Sequence, residues 1–127
     1  MTKLQLIWLS GLLEGEGSFV YTNTPQLAIQ STDKDIVERV CKLFGKNTNI
    51  VNSYDPNKYK HKLGVWRKRV YYIAVHGYRA AEIMRKIYRY MGKRRRIKIK
   101  EILDLFKKQK RIFNKRKDKF ELRGLQQ

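Results

Sequence analysis

The chain has one cysteine, few carboxylates and no long hydrophobic run. A single thiol, Cys41, builds neither a disulfide framework nor a cysteine metal cluster, which makes an intracellular, reducing compartment the expectation. The ordinary role expected of Cys41 is that of a small hydrophobe on a helix face. No apolar stretch reaches the roughly 18 residues of a membrane span, so the reading is a soluble protein with no membrane partner. The opening residues also lack a secretory pattern, because Gln5, Ser10 and Gly11 interrupt their apolar run, and nothing argues for export. Organelle, bacterial cytoplasm and phage-infected cell fit the composition equally. Acids are scarce beside bases. Eleven Asp and Glu stand against 30 Lys and Arg, a net charge of +19, which predicts a polyanionic partner.

The few acids are not scattered. Residues 1–40 hold five of them (Glu14, Glu16, Asp33, Asp35, Glu38) and only three basic side chains, so the basic excess belongs to the rest of the chain. A basic protein of ribosomal type would show no such ordered acidic segment. At 127 residues the chain is long enough for one domain and too short for two.

Periodicity predicts an α+β domain. Over 4–15, Leu4, Ile7, Trp8, Gly11, Leu12 and Gly15 fall on one helical stripe, with Leu6, Leu9 and Leu13 on the other side. A helix apolar all round is buried all round, yet so short a chain has core enough for one face only. The other face is expected to meet a second copy, with Gly11 and Gly15 letting two backbones approach. Alternation over 18–22 and 25–32, with Asn23, Thr24 and Pro25 between, predicts a β-hairpin in which Leu27 and Ile29 face the core and Gln26, Ala28 and Gln30 face outward. A helix follows over 33–44, then strands at 47–54 and 66–75 around a polar loop at 55–64. Two more helices are expected at 78–92 and 93–108. The domain is placed at 1–106, with 107–127 a basic extension too charged to fold by itself. His61 and His76 have no partner at metal-ligand spacing and read as ordinary loop and strand residues.

The nonamer LSGLLEGEG (9–17) and the order αββαββα resemble the LAGLIDADG homing endonucleases, over about residues 4–106. Ser10, Leu13, Glu14 and Glu16 depart from the name-giving letters. Resemblance to the single-motif type implies a curved antiparallel sheet serving as a DNA-binding saddle, and a homodimer through the 4–16 helix in which Trp8, Gly11, Leu12 and Gly15 form the interface. It implies Mg2+ (or Mn2+) held by Glu16 beside the Gly15 carbonyl. Asp33 falls where a polar residue orients the attacking water, a role that competes with that of an ordinary acid at a helix start. Arg94 or Lys93 falls where the family has a lysine. Arginine there keeps the charge but gives up proton shuttling.

The chemistry of the residues runs alongside. A carboxylate at a helix C-terminus is disfavoured by the dipole and gains from a cation. Magnesium takes few carboxylates and cleaves phosphodiesters by bridging attacking and leaving oxygens. Glu14 reads as a structural cap. For duplex DNA the expected contacts are Ser18, Thr22, Gln26 and Gln30 on the first hairpin and Asn52, Arg67, Arg69 and Tyr71 on the second, with arginine suited to guanine and glutamine to adenine. Lys98, in the run from Arg94 to Lys100, is expected to hold phosphate. The expectation is a site-specific double-strand DNA endonuclease cutting a long, nearly palindromic target. The alternatives are an inactive DNA-binding regulator of the same fold, or a maturase that takes intron RNA.

Overall fold

The computed structural model describes residues 1–45, 48–54 and 69–125. Its order is α1 (Lys3–Glu16), β1 (Gly17–Tyr21), β2 (Pro25–Ser31), α2 (Lys34–Phe44), β3 (Val51–Tyr54), β4 (Val70–His76), α3 (Gly77–Ile87), one 3-10 turn (Tyr88–Tyr90) and α4 (Lys93–Leu125). The fold class is α+β, as the periodicity requires. All strand pairs are antiparallel, in the order β1-β2-β4-β3. No helix among the described residues is long and apolar enough to cross a membrane.

Each element starts and stops for a local reason. Thr2 caps α1 in a reciprocal box: its hydroxyl accepts the Gln5 N–H at 3.2 Å and the Gln5 side chain accepts the Thr2 N–H at 2.9 Å. The hairpin tip turns on Asn23, which takes the left-handed conformation (φ 64°) that asparagine tolerates. At the end of α2, Gly45 adopts φ 95° and the Arg79 side chain donates to the last carbonyls, Nε to Phe44 at 2.9 Å and Nη2 to Leu43 at 3.1 Å. Cation and orphan carbonyls are matched in charge as well as in hydrogen bonding. Glu82 steadies that arginine at 3.2 Å; hydrogen bonds from Lys86 and then Arg79 hold its carboxyl below the usual range.

One face of the sheet carries the core. Phe19, Leu27, Ile29, Ile73 and Val75 pack against Leu9 and Leu13 of α1, Val37, Val40 and Phe44 of α2, Ile83, Met84 and Ile87 of α3 and Ile99 and Ile102 of α4. Ala80 and Met91 join the same core, Leu103 of α4 and Cys41 of α2 pack against it, and Phe106 is buried.

The structure corrects four expectations. Ala28 lies on the outward face but is buried, its small side chain set in register between Ser18 and Ala74. Tyr71 points inward and packs on the core, because Ile73 and Val75 set the parity of β4 and a one-residue slip would turn every side chain over. Arg69, expected on the outward row of the strand, lies just before β4 and is half-buried. The basic extension is no separate unit: α4 runs unbroken through 106 and 107 to Leu125. Lys, Arg and Gln are good helix formers, and no proline or glycine interrupts them before Gly124, so an already nucleated helix propagates even where residues 111–119 touch little.

Arg79→Ala strips the α2 terminus of two charge-assisted bonds and is expected to cost about 1.5–3 kcal/mol in urea unfolding. A loss below ~0.5 kcal/mol would show that water caps the helix equally well.

Candidate active site and nucleic-acid interface

α1 becomes β1 without a loop. The Gly17 N–H still bonds to the Leu13 carbonyl, while Gly17 itself is already the first strand residue. A Cβ at this position would stand 2.5 Å from the Leu13 oxygen, so only glycine lets the chain turn here. Glu16 is thereby delivered, exposed, to the rim of the sheet.

Two hollows meet at Ser18. The first, about 260 Å³, is lined by Glu16, Ser18, Gln26, Ala28, Gln30 and Tyr72 on the outward face. Gln26 Nε2 donates to the Tyr72 hydroxyl at 3.0 Å across the β2–β4 pair. The second, about 360 Å³, is lined by the Gly17–Phe19 backbone with Arg94, Arg95, Lys98 and Glu101. Glu16 thus stands on one side of Ser18, with three cations and a second carboxylate, Glu101, on the other. Such a rim can hold a phosphodiester backbone by its cations while a carboxylate stands close to it.

What brings α4 there is Glu14. Its Oε2 accepts the Gly92 N–H at 3.1 Å, and its carbonyl accepts from Arg95 Nη2 at 3.3 Å. A side chain on Gly92 would come within 2.7 Å of the carboxylate, which would have to shift to admit it. The sequence reads Glu14 as a structural cap near the strand tops; its bonds go to Gly92 and Arg95 at the start of α4. Arg95, whose guanidinium also lies 5.2 Å from the Phe19 ring centre, was not singled out in the sequence, where it is one of four consecutive basic residues.

The remaining expected residues sort as follows. Lys93 is exposed as the first residue of α4, one position before Arg94. Asp33 is exposed at the start of α2, where its N–H donates to Ser31 Oγ at 3.1 Å and its side chain makes no capping bond; it does not line the Glu16 hollow. Ser18, Thr22 and Gln30 are exposed, and Gln26 is half-buried. The outward row of β4 is carried by Tyr72, which sequence reasoning missed because VYYIAV is apolar or aromatic at both parities. Asn52 pairs with Tyr71 in the β3–β4 register, and Arg67 lies outside the described residues.

The α1 face away from the core is bare. Leu4 is 80% exposed and Ile7 43%, and a Cβ built on Gly11 or Gly15 would meet nothing within 4 Å. Trp8 and Leu12 sit half-buried at the border; the Arg39 guanidinium lies 3.8 Å from the Trp8 ring centre, so part of that indole is covered from within the chain. Among the described residues no three His, Cys, Asp or Glu side chains cluster as a metal site. Glu16 and the Gly15 carbonyl at the end of α1 offer oxygen donors only, the set a hard divalent cation takes, but one carboxylate is a partial site.

Comparison with known protein families, curated proteins and solved structures finds no match.

Gly17→Ala is expected to destabilise the domain by roughly 1–3 kcal/mol, since a backbone carbonyl rather than a mobile side chain must yield. A Gly17→Ala protein that melts with wild-type stability would mean that the helix-to-strand junction has slack.

Proposed function

We propose that this chain is a divalent-metal-dependent, site-specific endonuclease for double-stranded DNA, working as a homodimer of the LAGLIDADG homing type. The observation that carries the reading is the setting of Glu16. It stands exposed at the end of a helix whose outer face is bare and contains two glycines, with Arg94, Arg95 and Lys98 across Ser18 and a polar strand face beside it. Pairing two copies along Leu4, Ile7, Gly11 and Gly15 would cover that face and bring two Glu16 carboxylates together at the symmetry axis. The partial metal site of one chain would then become complete.

In this reading the duplex lies on the outward sheet face. Gln26 and Gln30 meet base edges, with Tyr72 holding Gln26 in place, and Arg94, Lys93 and Lys98 hold phosphates beside the scissile bond. Glu16, with the Gly15 carbonyl, would bind Mg2+ (or Mn2+), which supplies an activated water and charge relief on the phosphoryl oxygens. Arg94 keeps its proton throughout and so offers charge to the departing oxygen, not acid. Proton movement falls to water or to Lys93. Asp33 is a candidate for orienting water only if DNA or the second copy brings it to the site.

Two outcomes follow. Glu16→Gln should retain duplex binding and lose cleavage by at least about 100-fold, as should wild-type protein in EDTA. Duplexes selected from a random pool by the wild-type protein supply the substrate, and selected duplexes left uncut in magnesium would reassign the chain to a DNA-binding regulator. Gly11→Leu leaves the single chain's contacts intact, because nothing lies within 4 Å of that position. It should convert a dimer to a folded monomer in sedimentation; an unchanged mass with full activity would sink the α1 interface.

A further inference from the structure

Phe106 closes the core at the middle of α4, yet the stripe it belongs to goes on. Gln109, Lys110, Phe113 and Asn114 follow it at helical spacing and, with Tyr78 at the start of α3 and the Asn23–Thr24 turn, line a hollow of about 630 Å³. That volume is in the range of small-ligand sites. Tyr78 and Phe113, which both line it, are 65% and 66% exposed, much for large aromatics in a concave site. Tyr78 meets Phe106 edge to face, with ring centres 5.1 Å apart. The Lys110 ammonium lies 4.0 Å from the Tyr78 ring centre and 5.1 Å from that of Phe106. The Tyr21 hydroxyl donates to Gln109 Oε1, which fixes the sense of that amide and presents its NH2 as a donor.

We infer that this hollow is a binding site for an unpaired nucleotide, taking the base between Tyr78 and Phe113 and the attached phosphate on Lys110. Three features of the site match three features of that ligand: an aromatic face, amides able to meet a hydrogen-bonding edge, and a cation. A cationic ligand is disfavoured by the net charge of +19, and a neutral aromatic one would make no use of Lys110. The hollow opens at the hairpin tip on the helix side of the sheet, whereas Glu16 lies at the opposite end of β1. Stacked bases of a duplex seated on the outward face do not reach it; an unpaired base on a flexible strand does. Exposed basic residues from Lys107 to Lys119 carry the same helix onward and offer the rest of that strand a run of phosphate contacts. The site goes beyond the endonuclease reading and does not depend on it.

The test uses the full chain and nine-nucleotide single strands bearing a central 2-aminopurine, one of RNA and one of DNA, alongside a plain duplex. Stacking predicts a change in 2-aminopurine emission on binding. Phe113→Ala and Tyr78→Ala should each weaken single-strand binding about tenfold while Phe113→Tyr restores it. Duplex affinity should stay as in the wild type, which separates this site from the sheet face. Lys110→Gln should lower the salt slope of single-strand binding by about one unit. Both aromatics are exposed, so their truncation leaves the core intact, as circular dichroism would verify. A response from either strand supports the site and tells which sugar it takes. No emission change with either strand, or alanine variants that bind as tightly as the wild type, would overturn it.

Discussion

Everything at the acidic end depends on a helix that turns into a strand with no residue between them. Gly17 is where the Leu13 carbonyl and the first strand position come so close that any side chain would collide. Because of that closeness, Glu16 cannot swing away on a loop: its backbone is fixed on one side by α1, anchored in the core through Leu9 and Leu13, and on the other by the β1–β2 ladder. A carboxylate so placed, at the unfavourable end of a helix dipole, gains from a nearby cation. The start of α4 bonds to the neighbouring Glu14, not to Glu16.

The charge distribution makes the same point at larger scale. A chain with 30 basic residues could pair its 11 acids almost anywhere. Instead Glu14 holds the N-terminus of α4 through Gly92 and Arg95, and Glu82 orients the arginine that caps α2. These acids work as organisers of cations and backbone ends. Glu16 stands exposed with no such contact among the described residues, which is the physical ground for the proposed role at a metal.

Leu4 and Ile7 lie open on α1, and Tyr78 and Phe113 in the hollow by the hairpin tip. The two patches differ in kind. The first has no polar group to orient a ligand and two glycines that invite another backbone; the second mixes rings with amides and an ammonium, as small-ligand sites do. The outward sheet face is different again, polar along Ser18, Thr22, Gln26 and Gln30, and suited to a hydrated groove.

Local chemistry decided much of this. The spacing of apolar residues determined which elements form and in what order, and the inward sets of α3 and α4, because burial follows period 3.6 regardless of what lies opposite. The LSGLLEGEG run made Glu16 and the bare glycine face legible before any coordinates. Tertiary structure alone decided the rest. In β4 both parities are apolar or aromatic, so only packing of Ile73 and Val75 could tell that Tyr72 faces outward and Tyr71 inward. In KRRR no pattern distinguishes one cation from the next; Arg95 is singled out by a carbonyl 81 residues earlier. The stripe past Phe106 reads in the sequence as a basic extension too charged to fold by itself; only the fold sets it beside the start of α3 and the hairpin tip. Sequence determines what each segment prefers over a few residues, while a site is made where segments distant in the chain meet.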